Sequence, residues 1–229
     1  LFLKKKRQNN SFDAVIHFAG LKSVNESVKN PISYWENNVL GTINLVKVMK
    51  KYDCFKLVFS SSATVYGRKN KMPIAENAKI NPVNTYGRTK AVIEAILGDL
   101  EKELNNKFKI AILRYFNPVG AHDSGLIGEW PNGKPNNVFP ILNQVAFKQF
   151  DKFQIFGKDW PTYDGTCIRD YIHIMDLAEG HLSALNLLLR NKPSKFIINL
   201  GTGIGTSVLE LVNAYQEVNK IKIPFYFSE

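Results

Sequence analysis

Residues 55–62 read FKLVFSSS, a short apolar run that ends on three consecutive serines. Phe55–Ser60 is too short for a helix of useful length and too apolar for a surface loop, so it reads as a buried strand. Two runs of the same kind flank it, Phe12–Phe18 (FDAVIHF) and Phe108–Tyr115 (FKIAILRY). Between the first and second lies an amphipathic stretch, Pro31–Lys51. Its proline stands where a first helical turn tolerates one, and its closing lysines suit the negative end of the helix dipole. Between the second and third, a polar, proline-containing loop runs to Asn84 and a helix is predicted over Tyr86–Asn105. Strands that alternate with helices of this length require right-handed crossovers, which predicts an α/β fold: a parallel sheet with helices on both faces.

Beyond Asn117 the texture changes. Pro118–Asn137 is rich in Gly, Pro and Asn, and the next elements predicted are a helix over Asn137–Phe150 and a strand over Phe153–Phe156. After a glycine-containing loop to Thr166 come a helix at Asp176–Leu189, a strand at Phe196–Leu200, the turn GTGIGTS, a helix to about Asn219 and a strand at Lys222–Phe227. The loop-rich middle is expected to build a binding surface beside the sheet.

The composition is that of an ordinary globular protein: 229 residues, 45% hydrophobic, 12% aromatic and 22% charged. Disorder, collagen-like repetition and a coiled coil are excluded. No apolar run approaches the roughly 18–20 residues a membrane helix needs, and no signal peptide opens the sequence. Cys54 and Cys167 are too few for a disulfide framework or a zinc site, and His17, His122, His173 and His181 are not spaced as metal ligands. A cytoplasmic protein with no membrane association and no metal is therefore expected. The formal charge of +10 calls for a polyanionic partner to be weighed. Lys4, Lys5, Lys6 and Arg7 supply four of those charges, and the rest are scattered among acids without a basic stripe. No nucleic acid is expected; a phosphate-bearing small molecule suits the charge.

Three places could carry chemistry. Gly201, Gly203 and Gly205 form a strand-to-helix turn, followed at the end of the next strand by Glu229, in partial imitation of the fingerprint that seats a pyrophosphate on a helix N-terminus. Thr206 stands where the third glycine belongs, so a structural turn or a contact with another phosphate is expected. Tyr86 and Lys90, four apart on a helix, share one face, where a cationic lysine favours the phenolate a base requires. The spacing alone carries little, since Tyr52 and Lys56 repeat it. What separates Tyr86 is Ser60–Ser62 at the carboxyl end of a parallel strand, where open α/β sheets place ligands and where a serine can hydrogen-bond both a substrate hydroxyl and the tyrosine oxygen.

SSSATVYG (60–67) followed by YGRTK (86–90) resembles the extended short-chain dehydrogenases/reductases, whose catalytic trio is Ser or Thr, Tyr and Lys. HFAGLKSVNES (17–27), ENNVLGT (36–42), LRYFNPVGAH (113–122), PNNVFP (135–140), DGTCIRDYIH (164–173) and NLGTGIGTSV (199–208) narrow the resemblance to the nucleotide-sugar epimerases of that family. The blocks occur in the family's order and cover nearly everything from Phe12 onward.

The resemblance implies a partial Rossmann-type NAD-binding domain over 1–117 and a smaller, mixed α/β nucleotide-sugar-binding region over 118–229, some segments of which pack back on the first. It puts Ser62, Tyr86 and Lys90 in the catalytic roles. Phe18, Ala19, Gly20, Lys22, Asn37 and Phe116 join Tyr86 and Lys90 as contacts to NAD. Asn117, Asn137, Val138, Phe156 and Arg169 join Ser62 and Tyr86 around the nucleotide sugar; the planar fork of Arg169 suits a diphosphate. The implied reaction is interconversion of UDP-glucose and UDP-galactose through a 4-keto sugar, in galactose metabolism, by a homodimer. Two further readings stay open, a dehydratase or decarboxylase of the same family and a non-catalytic nucleotide-sugar-binding remnant. The dehydratases usually carry an acidic pair after the catalytic Ser or Thr; Ala63 and Thr64 stand there, which favours epimerisation. Cys167 replaces the family's usual glycine in a loop near the sugar. The family's glycine-rich fingerprint lies upstream of the resembling residues and its last segment beyond Glu229. The chain alone is thus expected to be a piece of a longer enzyme, to bind NAD poorly, to be inactive, and to expose an apolar strand edge.

Overall fold

The computed structural model describes residues 12–68, 71–103, 107–129, 131, 133, 135, 137–190 and 194–228. The basic run Lys4–Arg7 and Glu229 lie outside the described residues. In chain order the strands are β1 (Val15–His17), β2 (Lys56–Ser62), β3 (Lys109–Tyr115), β4 (Asn117–Val119), β5 (Phe153–Phe156), β6 (Ile168–His173), β7 (Lys195–Leu200), β8 (Gly205–Ser207) and β9 (Phe225–Ser228). The α-helices are α1 (Val24–Lys29), α2 (Pro31–Tyr34), α3 (Gly41–Lys51), α4 (Thr85–Glu103), α5 (Val138–Ala146), α6 (Ile174–Leu189) and α7 (Val208–Asn219). A π-helical segment, Trp35–Leu40, joins α2 to α3, and a single 3₁₀ turn, Ala63–Tyr66, follows β2.

The chain divides into two compact units. The first holds the described residues to Phe116 together with Leu177–Leu200; the second holds Asn117–Asp176 and the residues from Gly201 onward. In the first unit a four-stranded sheet, ordered β1-β2-β3-β7, is parallel throughout. Strand alternation gives it two apolar faces. Leu57, Phe59, Ile110 and Ile112 form one cluster with Ile93 and Leu97 of α4 and with Val46 and Met49 of α3. Val58, Ala111 and Leu113 form another with Ala184, Leu185 and Leu188 of α6. Each large side chain buried this way contributes about 1.5–3 kcal/mol, and together they fix the carboxyl ends of the strands at one rim.

In the second unit β6 lies between β4, which it pairs in parallel, and β8, which it pairs antiparallel, while β5 pairs β9 in parallel. Its core gathers Leu142, Val145, Phe153, Ile155, Leu211, Val212 and Ile223. Ser207 starts α7 with a reciprocal capping box: it accepts from the Glu210 amide at 3.0 Å while its own amide donates to the Glu210 carboxylate at 2.9 Å.

Several boundaries differ from those the sequence predicts. Only three residues of Phe12–Phe18 pair as strand. The helix over Pro31–Lys51 is interrupted by the π segment, whose extra residue turns Asn38 inward to 1% exposure. The helix after Asn137 stops at Ala146, before Lys148 at φ 58°. The last strand begins at Phe225, because Ile223 is drawn into the core and Pro224 has no amide to offer. Helix α1 and strand β6 were not predicted. The former is announced by Ser23 and Glu26, a capping pattern; the latter is broken by Arg169 and Asp170, which spoil its periodicity.

Candidate active site

The three serines that end β2 go three ways, because side chains alternate along a strand. Ser60 shares a hydrogen bond of 2.8 Å with His181 Nε2 on α6. Ser61 points to the opposite face and donates to Glu94 on α4 at 2.5 Å. Ser62 stands where strand becomes 3₁₀ turn, accepts from the Thr64 amide at 3.2 Å and hydroxyl at 3.0 Å, and hydrogen-bonds the Tyr86 phenol. Two of the serines thus hold neighbouring helices in place, and Ser62 is the one beside Tyr86.

Tyr86 and Lys90 rise from the first turns of α4, exposed by only 7% and 4%. Lys90 Nζ donates to the Ser60 carbonyl at 2.8 Å and lies 5.8 Å from the Tyr86 ring centre and 4.8 Å from that of Phe59. The helix can press this closely because of Gly87. A Cβ there would come within 2.9 Å of the Thr64 carbonyl and 3.0 Å of Pro82 Cβ. Burial lowers the Lys90 ammonium to about 8, with Glu94 opposing the fall. Burial also raises the Tyr86 phenol, which the Ser62 hydrogen bond only partly offsets. The spacing predicts that the lysine eases Tyr86 toward phenolate; in the protein by itself, desolvation wins and the phenol stays protonated.

The loop after β1 is held from the π segment. Asn38 Oδ1 accepts from the Leu21 amide at 2.8 Å, and its Nδ2 donates to the Leu21 carbonyl at 3.0 Å and to Thr89 Oγ1 at 3.2 Å. A Cβ on Gly20 would meet Asn38 Oδ1 at 3.0 Å and Lys90 Nζ at 3.9 Å. Phe18, Ala19, Gly20 and Asn37, together with His17 and Leu45, line a cavity of about 520 Å³, within the range of small-molecule sites. Phe18 lies over His181, ring centres 4.7 Å apart. Lys22 is exposed at the loop's end, and Phe116 is half-buried, its amide bonded to the Leu200 carbonyl at 3.0 Å.

His17 is structural. The Thr42 hydroxyl donates to the Asn38 carbonyl at 2.6 Å, so its oxygen receives the His17 Nε2 proton at 2.9 Å. Burial, then the Lys90 charge, lowers the imidazole to about 4 and keeps it neutral.

In the second unit Asn117, Asn137, Phe156 and Arg169 are exposed and Val138 is half-buried against its core. Asn137 donates to Glu129 at 2.9 Å. Phe156, Gly157, Asp159 and Trp160 line a second cavity of about 380 Å³. Asp170 does not neutralise Arg169. Its carboxylate accepts from the Thr202 amide at 2.9 Å and hydroxyl at 2.8 Å, and from the Gly203 amide at 2.8 Å. The glycine-rich turn therefore already holds an anion, one covalently part of the chain, and its amides are not offered to a phosphate. Among the described residues no group of three or more His, Cys, Asp and Glu side chains could hold a metal ion, and no helix is long and apolar enough to cross a membrane.

Four supporting residues escape the motif reading: Asn38, Gly87, Glu94 and Arg114. Three of them left a signal, a glycine inside a strong helix, a carboxylate four beyond Lys90 on the same face, and a charge in the middle of an apolar strand, and Asn38 left none.

The pattern described as the NAD dependent epimerase/dehydratase family matches residues 3–201. The chain is 52% identical over 222 residues to a bifunctional UDP-glucose 4-epimerase and UDP-xylose 4-epimerase of Pisum sativum, covering 96% of this chain and 63% of that protein. To the UDP-glucose 4-epimerase of Bacillus subtilis it is 51% identical over 220 residues, 96% of this chain and 64% of the relative. Among solved structures, the UDP-glucose 4-epimerase of Stenotrophomonas maltophila with NAD and formylated UDP-arabinopyranose superposes with a TM-score of 0.92 at 48% identity, covering 96% of this chain and 65% of that one. The enzyme of Bifidobacterium longum with NAD+ and UDP gives 0.90 at 47% identity, with the same coverage. The chain thus spans a little under two thirds of the length of these relatives.

Proposed function

The chain belongs to the NAD dependent epimerase/dehydratase family, and from that premise we propose that the protein carrying it interconverts UDP-galactose and UDP-glucose by inverting C4 of the hexose, with NAD as its cofactor. The observation that carries this reading is one assembly: Ser62, Tyr86 and Lys90 at the carboxyl rim of a parallel sheet, beside a cavity lined by the loop after β1. The epimerase names of relatives about half identical to it support the substrate class.

The residues fit NAD at this rim. Gly20 leaves open the space where a side chain would crowd Asn38 and approach Lys90, and the cavity beside it is large enough for a ligand of this kind. Phe18, Ala19, Gly20, Lys22, Asn37 and Phe116 would hold the cofactor with Tyr86 and Lys90. When bound, NAD supplies a hydride acceptor and donor for C4 and a positive charge beside the phenol.

Ser62 would orient the substrate's 4-hydroxyl and Tyr86 would take its proton as the C4 hydrogen leaves with its electron pair for the hydride acceptor, giving a 4-keto sugar; the same oxygen would return the proton when the hydride comes back to the turned sugar. Tyr86 is raised by burial in the protein alone, so it becomes a base only when cationic charge gathers around it. Lys90 supplies part of that charge below its own pKa of about 8. Asn117, Asn137, Val138 and Phe156 would contact the nucleotide sugar, and Arg169, free of Asp170, would grip its diphosphate by two parallel hydrogen bonds. We assign the region to residue 117 to the cofactor and that from residue 118 to the nucleotide sugar, with Leu177–Leu200 packing back on the first unit, and the protein to the cytoplasm, to galactose metabolism and to a homodimer, on the strength of the family resemblance.

The test is turnover of UDP-galactose by the full-length protein and by its Tyr86→Phe variant. Wild-type turnover that the variant nearly abolishes supports the reading; equal turnover by both would falsify the role of Tyr86.

A further inference from the structure

Behind Ser62 the first unit buries an ion pair that none of the roles above employs. Arg114 on β3 is 2% exposed and Glu94 on α4 is 7% exposed. Arg114 Nη2 donates to Glu94 Oε2 at 2.6 Å and Nε donates to Oε1 at 3.0 Å, a two-pronged fork. From this pair, bonds run to both ends of the segment that carries the serine. Ser61 donates to Glu94, as above, and Arg114 Nη1 donates to the Tyr66 hydroxyl at 2.9 Å and to the Glu76 carbonyl at 3.0 Å. Tyr66 passes its own proton to Asn199 Oδ1 at 2.6 Å. Ser62 thus lies in a stretch, 61–66, whose two ends are tied to one ion pair. The helix that supplies Glu94 also supplies Lys90 one turn earlier and Tyr86 one turn before that.

A buried ion pair gains little stability over apolar side chains of the same size, because desolvating two charges offsets their attraction. A planar fork with every arm bonded does fix distance and angle. We propose that the Arg114–Glu94 pair is a positioning device for the epimerisation, holding Ser62 on β2 in register with Tyr86 and Lys90 on α4. This rests on the functional reading above and adds residues to it. Glu94 also acts on Lys90 directly, sustaining its charge against burial; the other titratable groups facing Lys90 are Tyr86 on the same helix and His17 on β1.

Single substitutions would leave one charge buried and unpaired, so the decisive variant in the full-length protein is the pair Glu94→Met with Arg114→Met. The expected result is a folded protein whose kcat for UDP-galactose falls by about tenfold or more with KM nearly unchanged, as displacement of a reacting group predicts. A folded variant with wild-type kcat overturns the proposal. Should that variant not fold, Arg114→Lys, which keeps the charge but loses the fork, carries the same expectation and the same refutation. One readout needs no turnover: in the Glu94→Met, Arg114→Met variant the Ser62 and Tyr86 side-chain NMR signals should move from their wild-type positions, and unmoved signals overturn the proposal. If wild type itself does not turn over UDP-galactose, the epimerase reading has failed, and the Ser62 and Tyr86 signals still decide on the positioning role.

Discussion

At the strand ends of the first unit the polar groups are buried; in the second unit the residues proposed to meet the ligand are exposed, Val138 excepted. Ser60, Ser61, Lys90, Glu94, Arg114 and His181 each have less than a tenth of their surface in contact with solvent and each has a named partner. Phe156 is 64% exposed, and the Arg169 guanidinium makes a single hydrogen bond among the described residues, to the neighbouring Ile168 carbonyl. The proposed roles account for the difference. Groups that move a proton need their geometry set before the ligand arrives and a medium that magnifies charge, whereas groups that recognise a ligand can settle around it.

The contrast makes graded predictions. Tyr86→Phe removes the proton-carrying oxygen and should lower kcat by about 10³-fold or more with little change in KM, read in steady-state kinetics of the full-length protein. Arg169→Ala should do the reverse, raising KM about tenfold and moving kcat less than about threefold. If Arg169→Ala lowers kcat as Tyr86→Phe does, the division between the regions is broken. Gly87→Ala drives a methyl group into the Thr64 carbonyl and should cost about 1–3 kcal/mol of stability in chemical denaturation.

Lys90 sharpens the contrast from the side of stability. Its pKa is lowered from 10.5 to about 8 in the folded chain, so between those values the unfolded chain binds more protons and stability rises with pH; below about 8 the full cost of the buried charge is present. Lys90→Met should therefore abolish activity while stabilising the fold at neutral pH by about 1–3 kcal/mol. A Lys90→Met protein less stable than wild type would show that the site's charge is not held at a cost. His17, lowered from 6.5 to about 4, acts in a more acidic window. The unfolded chain takes up this proton first, so the contribution is intact above about pH 6.5 and drains away as pH falls toward about 4. His17→Gln should flatten that part of the stability curve.

The buried sheet was legible because its strands are written in apolar runs, FKLVFS and FKIAILRY, whose burial on both faces leaves nothing for periodicity to confuse. Tyr86, Lys90 and Ser62 were legible through motif and strand end. What the sequence concealed depends on contacts across long separations. Asn38 acts on Leu21 only because a π turn rotates it inward, and nothing in ENNVLGT announces that turn. Arg114 reads as an interruption of an apolar strand until Glu94 is set opposite it. The glycine-rich turn reads as a structural turn or a phosphate contact, and the carboxylate that decides for the first, Asp170, lies 33 residues from Gly203. Strand β6 was lost for a related reason: its charged residues serve a turn and a surface, and a pattern built on burial passes over them.

The most direct test of the account is to incubate UDP-galactose with the full-length protein in heavy water and follow C4 of the hexose by proton NMR. Hydride transfer with a tyrosine that handles only the hydroxyl proton predicts conversion to UDP-glucose with the original hydrogen retained at C4. Deuterium at C4, or no conversion, would contradict it.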